Sequence, residues 1–383
     1  MLTSKTPVRV AILGGSNRSR KVYGPILKGL AQAGEVEVVA VWSRHENSAQ
    51  ELGQFLNLPW YTDLAKLVRE TAPQVGVVSV NSGANGPVGL MAVENGLHVL
   101  VETPISHSLK EADAIIQAAA ARNLKIEVAE QFHRRPLEQI KLKLLASGLF
   151  GQVYTAFNDF AGHGYHGVSV LRSYLGFDAV PVRVQGFVRD YPLAAHGSRF
   201  NAPVAPRDET QEHAMIEFAD GRLGIYHWTN VGYDSALRWW RSSRFLAEKG
   251  MGLTVGVDLD VKEELTLLDA SRKAPQFITL QRHWERLDGG PLRALVAFTG
   301  DSDQPEVRWD NPFYDLLREN GIQWHDDEIG VAGCIMSLVN AVRDGTEPTY
   351  GAAQGRVDQE IVVAMRESSR LGGQSVSLPV SVE

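Results

Sequence analysis

The sequence has very little cysteine and no long hydrophobic run. Cys334 is the only cysteine among 383 residues, so an internal disulfide is excluded. It lies in an apolar helical pattern, which favours a core position over a nucleophile. No apolar stretch approaches the roughly 20 residues that cross a bilayer, and the N-terminus has no basic region followed by an apolar one. We therefore expect a cytoplasmic protein without a signal peptide or a membrane contact.

Runs of like charge are also missing. The formal net charge of -7 at pH 7 is mildly acidic and is spread along the chain. Neither a nucleic-acid groove nor a surface for anionic membranes is indicated. Hydrophobic residues make up 44% of the 383 residues. At roughly 100–200 residues per domain, the chain is long enough for two packed domains.

Short apolar runs alternate with helical patterns over the first 130 residues. This alternation predicts a Rossmann-type α/β domain, a doubly wound parallel sheet, over residues 1–130. Longer alternating strands begin near Gly151, so we predict an α+β domain with a large, mainly antiparallel open sheet over residues 131–383. The stretch from about 250 to 310 is interpreted as an insertion without an assigned role. The strands predicted in the first domain are Val8–Leu13, Val36–Trp42, Val75–Val80, Val99–Val101 and Lys125–Ala129.

The turn after the first predicted strand matches a dinucleotide fingerprint in part. Gly14 stands at the first glycine of G-x-G-x-x-G, but Ser16 and Ser19 replace the second and third. A strand before it and a helix after it favour nucleotide binding over a structural turn. After the second strand, Arg44 stands where a carboxylate would bind the ribose of NAD, so NAD and NADP both remain open. A solvated surface arginine is the alternative for Arg44.

Ligands of open α/β sheets bind beyond the carboxyl ends of the strands. The run Val99–Val101 ends abruptly at Glu102, Thr103 and Pro104, which would therefore lie at a cofactor crevice. A loop that merely precedes the next helix is the alternative. The residues predicted to bind the cofactor are Gly14, Gly15, Ser16, Asn17, Arg18, Ser43, Arg44, Asn81, Asn85, Glu102, Thr103, Pro104 and Gln131.

The segment Gly162–His166 holds the densest cluster of reactive side chains. We predict His166, His163 and Tyr165 as catalytic acid–base groups, with a helix-capping role as the alternative for His166. A metal site is not predicted, because no third ligand stands at a suitable spacing.

Aromatic faces suit sugar C–H surfaces, and arginines suit carboxylate, phosphate or sulfonate groups. Such side chains favour a sugar site, with a sheet face packed against a partner subunit as the alternative. Asp326 or Asp327 is predicted to cap a helix, with a catalytic role as the alternative. The predicted substrate-binding residues are His133, His227, Trp228 and Arg238.

Several motifs in this order resemble the glucose–fructose oxidoreductase / inositol dehydrogenase (Gfo/Idh/MocA) family. They are the partial glycine-rich turn, the segment Ala92–Pro104, the segment Glu130–Pro136 and the segment Gly164–Gly176, which is similar to a G-x-H-x-x-D-x-L-R helix. The resemblance implies a Rossmann domain, an NAD or NADP cofactor, and an open sheet that supports a homodimer or homotetramer.

Two departures from the family pattern bear on the chemistry. The resemblance implies a lysine in a Glu-Lys-Pro triplet and an aspartate four residues before the histidine, but Thr103 and Gly162 stand there. The NAD-dependent glycosidases of the family resemble this sequence in lacking the lysine. That branch implies hydride transfer between nicotinamide C4 and a pyranose carbon, commonly C3, followed by elimination, hydration and re-reduction, here on a glycoside that could be acidic or sulfonated. A simple sugar or polyol dehydrogenase and a non-catalytic sugar- or nucleotide-binding relative are the alternatives.

Overall fold

The computed structural model describes residues 6–198, 202–231, 235, 241–256, 262–268, 274–286 and 289–380. Two sheets organise these residues, a parallel one near the N-terminus and a larger, mostly antiparallel one. This arrangement confirms the predicted fold class. Within the described residues, no helix combines the length and the apolar character that a membrane span requires.

The first sheet has six parallel strands in the order β3-β2-β1-β4-β5-β6. Both faces are covered by helices, so the strands are almost continuously apolar, which explains why they could be predicted from short hydrophobic runs. The strands are β1 Val8–Leu13, β2 Val36–Trp42, β3 Trp60–Tyr61, β4 Val75–Val78, β5 His98–Val101 and β6 Ile126–Val128. A π-helical turn, Ser19–Tyr23, leads into α1 Gly24–Gln32, and the later helices are α2 Glu46–Leu56, α3 Leu64–Thr71, α4 Asn85–Glu94 and α5 Leu109–Ala121.

The second sheet has eleven described strands, in the order β18-β17-β16-β15-β14-β13-β7-β12-β11-β8-β19. Neighbouring strands are antiparallel except for β7 and β12. The stretch from about 250 to 310, which the sequence left without a role, supplies the strands from β14 to β18 and so extends this sheet. Its strands are β7 Val153–Asp159, β8 Pro181–Leu193, β11 Arg207–Phe218, β12 Leu223–Thr229, β13 Ser242–Ala247, β14 Gly250–Val255, β15 Lys262–Leu267, β16 Gln276–Arg286, β17 Gly289–Phe298, β18 Glu306–Asp310 and β19 Val376–Ser377. Two short strands, β9 His196–Gly197 and β10 Pro203–Val204, pair separately with each other.

Helices cover one face of this second sheet. They are α6 Pro136–Ala146, α7 Gly164–Leu175, α8 Tyr314–Glu319 and α10 Ala352–Arg370, whereas α9 Asp326–Asp344 packs on β5 and β6 of the first sheet. Helix α7 packs on β7 and β12, and α10 packs on β8, on α7 and on α5 of the first domain. The start of α7 is thereby held against the carboxyl ends of the first sheet.

The other face of the second sheet is open to solvent. Because side chains alternate along a strand, the inward Tyr226 and Trp228 of β12 are buried while His227 between them faces the open side. Large apolar side chains are exposed on several strands of the sheet, namely Phe187, Tyr191, Met215, Leu246, Met251, Phe277 and Phe298.

A buried lysine links α6, α7 and the second sheet. Lys141 is fully buried, and its Nζ lies 2.9 Å from Glu138 and 3.2 Å from Ser243 Oγ. It also donates to Tyr174 Oη and Thr254 Oγ1. The ammonium group therefore has polar partners on three sides, which offset the cost of its burial.

We expect Lys141→Met to destabilise the protein by about 3–5 kcal/mol, because the buried Glu138 carboxylate loses its charged partner. Removing both charges, in Lys141→Met with Glu138→Gln, should cost less than the single change. Urea unfolding followed by circular dichroism measures the difference. Lys66→Met is the matched control, since its exposed pair with Glu70 is worth less than about 1 kcal/mol. An equal loss of unfolding free energy in Lys141→Met and in Lys66→Met would contradict this role of Lys141.

Candidate active site

The first turn of the parallel sheet closes tightly on the end of β4. A Cβ on Gly14 would lie 2.1 Å from the Ser79 carbonyl oxygen, and the Gly14 φ of 130° lies in the region that favours glycine. At the third glycine position the buried Ser19 donates to that same carbonyl at 3.2 Å. Ser16 Oγ accepts from the Ser19 N–H at 3.0 Å and lies 3.0 Å from Ser79 Oγ. The hydroxyls of Ser16 and Ser19 thus hydrogen-bond to Ser79 at the end of β4, where glycines at these two positions would allow a close backbone approach.

The end of β2 does not decide between the two nicotinamide cofactors. Ser43 is buried and its Oγ accepts from the His45 N–H at 3.4 Å, whereas Arg44 is exposed beside His45. Asn81 is also exposed, and its Oδ1 caps the short helix that follows β4. Arg44 remains the candidate for a 2′-phosphate, as predicted.

The loop that follows β5 is fixed from several sides. Asn85 Nδ2 donates to the carbonyl oxygens of Glu102, at 2.8 Å, and of Pro104, at 2.9 Å. The Glu102 carboxylate accepts from Arg18, from Tyr23 Oη at 2.8 Å and from the Thr103 N–H at 3.0 Å. Arg18 and Glu102, both predicted cofactor residues, are thus an ion pair that joins the glycine-rich turn to this loop.

A histidine–glutamate pair lies at the junction of the two sheets. His166 Nδ1 is 2.6 Å from Glu130 Oε2, and the other Glu130 oxygen accepts from the Phe132 N–H at 3.0 Å. The Phe132 ring stacks on the imidazole at 4.4 Å, and Thr103 Oγ1 is 3.5 Å from His166 Nε2. The imidazole is therefore held in one orientation, with Nε2 towards the loop where the resemblance places a lysine.

Burial shifts the pKa values of both partners in this pair. Burial, followed by the charge of Arg18, lowers the pKa of His166 to about 3. Burial raises the pKa of Glu130 to about 8, although the Phe132 N–H lowers it. Both shifts favour the uncharged forms, so the pair holds one shared proton at neutral pH and loses it as one coupled unit.

A second ion pair borders the histidine–glutamate pair. Arg135 donates to Asp327 Oδ1 at 2.7 Å and lies 3.9 Å above the Phe132 ring. Although burial raises the pKa of Asp327, the charge and hydrogen bond of Arg135 outweigh it and lower that pKa. Neither Asp326 nor Asp327 is the helix cap, because His325 occupies that position and both acids lie in the first turn of α9.

His163 and Tyr165 line a cleft next to His166. The His163 ring centroid is 4.8 Å from that of His166 and 5.4 Å from that of Trp228. Tyr165 Oη is 3.4 Å from His163 Nε2 and donates to the Thr103 carbonyl at 3.4 Å. Burial raises the pKa of Tyr165 to about 12, so the phenol stays protonated. The three predicted catalytic side chains are thus brought together.

The predicted substrate residues are not all in this cleft. His133 is buried against Phe177 and Tyr350 and lines a different cavity. His227 faces the open side of the sheet, 3.5 Å from Asp159. Arg238 lies outside the described residues. Of the three that the structure describes, only Trp228 lines the cleft beside His163.

The sequence did not lead us to name Glu130 or Arg135 as site residues, and for Asp327 it favoured a helix cap over a catalytic role. Glu130 lies two residues after β6, and the rule that placed Glu102 at the crevice would have placed it there too. No local signal pairs Arg135 with Asp327, which are far apart in the chain. No group of three or more His, Cys, Asp or Glu suited to a metal occurs within the described ranges.

Residues 8–130 match the family model GFO_IDH_MocA, described as an oxidoreductase family with an NAD-binding Rossmann fold. The first domain is an NAD-binding Rossmann domain. The match supports the family that the sequence resembles, and the prediction of a nicotinamide cofactor is confirmed. The geometry fits such a cofactor, because the Gly14 turn leaves no room for a side chain and Gln131 Oε1 is buried without a donor.

The curated relatives align with this region of the chain. One uncharacterized oxidoreductase of Schizosaccharomyces pombe is 29% identical over 124 residues, which are 32% of this chain and 33% of the relative. A second from that organism is 24% identical over 149 residues, 38% of this chain and 40% of the relative. The chain therefore matches well under half the length of these relatives.

Solved structures resemble the whole chain. An NAD binding oxidoreductase from Klebsiella pneumoniae has a TM-score of 0.73 at 14% identity and covers 98% of this chain and 100% of its own. A levoglucosan dehydrogenase in complex with NADH and levoglucosan has a TM-score of 0.70 at 14% identity, with coverage of 98% and 100%. An aldose–aldose oxidoreductase from Caulobacter crescentus scores 0.66 at 15% identity, with coverage of 97% and 100%. At these identities the likeness shows the fold alone.

We expect the turnover rate to rise with pH through about 8, because the pair must lose its shared proton before His166 Nε2 can accept another. In Glu130→Gln this rise should disappear and the plateau rate should fall about a hundredfold. The pH dependence of kcat measures both effects. Glu127→Gln is the matched control, since Glu127 is also buried on β6 but pairs with Arg134 and Ser337. An unchanged pH profile in Glu130→Gln would contradict the assignment.

Proposed function

We propose that the protein is an NAD(P)-dependent enzyme that oxidises a secondary hydroxyl of a sugar or glycoside, with His166 as the proton acceptor. The observation that carries the proposal is the 2.6 Å contact between His166 Nδ1 and the buried Glu130, beside the Glu102–Pro104 loop. Two structural neighbours are a levoglucosan dehydrogenase and an aldose–aldose oxidoreductase, which supports a sugar as the substrate class.

Oxidation of a secondary alcohol breaks an O–H bond and a C–H bond and forms a C=O bond. The hydroxyl proton passes to His166 Nε2, while the Nδ1–H donates to the Glu130 carboxylate and stabilises the imidazolium that forms. When bound, a nicotinamide cofactor supplies the acceptor for the hydride. His166 and Glu130 together thus take the role that the resemblance assigns to the lysine absent at Thr103.

A second candidate is the NAD-recycling cleavage of a glycoside. The position of His163 favours this candidate. Its ring centroid lies 4.8 Å from that of His166, and its Nε2 lies 3.4 Å from Tyr165 Oη. After oxidation at C3, His163 would take the acidified C2 proton and Tyr165 would protonate the departing glycosidic oxygen. Addition of water and return of the hydride would then restore the starting redox state.

We expect freshly purified protein to release NAD or NADP on denaturation, detected by mass spectrometry. The native protein is then assayed against free sugars and aryl glycosides, following the aglycone and the absorbance at 340 nm together. Net NADH or NADPH formation supports the dehydrogenase, and aglycone release without net reduction supports the recycling glycosidase. His166→Asn should lower either rate about a hundredfold or more, because the proton acceptor is lost.

His227→Asn is the matched control and should leave the rate unchanged, since that imidazole lies on the open face of the sheet. No bound nucleotide and no turnover on any substrate would refute both enzymatic candidates.

We also propose that the open face of the large sheet forms the contact of a homo-oligomer. Its exposed Met215, Leu246 and Met251 are apolar side chains on neighbouring parts of one face. Met215→Glu should convert the oligomer to a monomer in light scattering, because a carboxylate would be buried without a partner. Glu217→Gln, an exposed change on the same strand, should not. A monomeric native protein would contradict this contact.

A further inference from the structure

The cleft continues past His163 and Tyr165, away from His166. Its volume is about 380 Å³, within the range of small-molecule sites. Strands β11 and β12, helix α10 and the loops after β4 and β5 form its walls. His163 lies between this cleft and the histidine–glutamate pair, so a ligand reacting at His166 can extend into it. The space lies beside the reactive position.

One wall of the cleft is aromatic. Trp228 lies on the inward side of β12 with its ring tilted by 53° to that of His163, at 5.4 Å. The two rings together form an aromatic, largely apolar wall. Such a surface can bind the C–H face of a pyranose ring or the face of an aromatic ring. The polar side chains of the opposite wall therefore decide which of these two ligands fits.

The opposite wall carries a buried acceptor without a donor. Gln359 on α10 is 2% exposed, and its Oε1 has no hydrogen-bond partner. The orientation of the amide is fixed because Nε2 faces the His107 carbonyl at 3.5 Å. A buried carbonyl oxygen without a donor is unfavourable. A hydroxyl group of a ligand would satisfy it, whereas an unsubstituted aromatic ring would not.

The charged side chains at the rim of the cleft form an ion pair. Arg366 lies 3.5 Å from Glu212, whose other oxygen accepts from Tyr226 Oη at 2.9 Å. The cation therefore already has a carboxylate beside it. This pairing favours an uncharged ligand over an acidic or sulfonated one.

We propose that this cleft binds a second, neutral pyranose ring, joined by a glycosidic bond to the ring that is oxidised at His166. The protein then acts on disaccharides in preference to free monosaccharides. This inference rests on the proposed function and names the substrate class of the same site. Trp228 supplies the stacking surface, and Gln359 accepts a hydroxyl of the second ring.

The test compares the NAD-loaded protein on cellobiose, maltose and sucrose with its activity on glucose. We expect kcat/KM for the preferred disaccharide to exceed that for glucose by about tenfold or more, with the difference mainly in KM. Gln359→Met should lower kcat/KM for the disaccharide about tenfold and change that for glucose less than about twofold, and Trp228→Leu should lower the disaccharide value about tenfold. Trp309→Phe, a buried tryptophan change in a separate cavity, is the control and should alter neither.

The possible results separate the inference from the proposed function. No oxidation of any sugar by the wild-type protein would overturn both. Oxidation of glucose as fast as of every disaccharide, or an equal loss on both substrates in Gln359→Met, would overturn the second-ring site alone. So would a preference for phenyl glucoside that Gln359→Met leaves intact. Calorimetric titration of NAD-loaded His166→Asn with the preferred disaccharide should still show binding, which Gln359→Met weakens in that background.

Discussion

The contact between Glu130 and His166 is the constraint on which the site depends. Glu130 lies two residues beyond the last strand of the parallel sheet, and His166 lies in the first turn of the helix that packs on the antiparallel sheet. Both side chains are buried, so the hydrogen bond between them can form only when the two sheets are packed in register. Folding and preorganisation of the proton acceptor are therefore the same event. The stacked ring of Phe132 removes the remaining freedom of the imidazole.

The charges around this pair are balanced. Arg18 is paired with Glu102, and Arg135 is paired with Asp327. Each pair is neutral as a whole, so the shared proton of Glu130 and His166 is the local charge that changes with pH. A lysine at position 103 would add an uncompensated cation beside His166. Its replacement by threonine is therefore consistent with a glutamate, rather than an ammonium group, as the partner of the reacting base.

The first sheet could be predicted because its strands are buried on both faces and appear as apolar runs. The clustering of His163, Tyr165 and His166 could be predicted because they are neighbours in the chain. The pairing of Arg135 with Asp327 could not, since it depends on how α9 packs against the end of β6. The assignment of both His227 and Trp228 to one ligand overlooked alternation, because consecutive residues of a strand face opposite sides of its sheet.

The same alternation separates two roles on β12. On its inward side, Tyr226 donates to Glu212 and accepts from the Gly164 N–H at 2.6 Å, which fixes the start of α7. Trp228, two residues on, forms the wall of the cleft. The strand thus positions the helix that carries His166 and also shapes the space next to it. A change in the register of β12 would move His166 and the cleft together, so the distance between the proposed base and the proposed second-ring site is set by the sheet rather than by a loop.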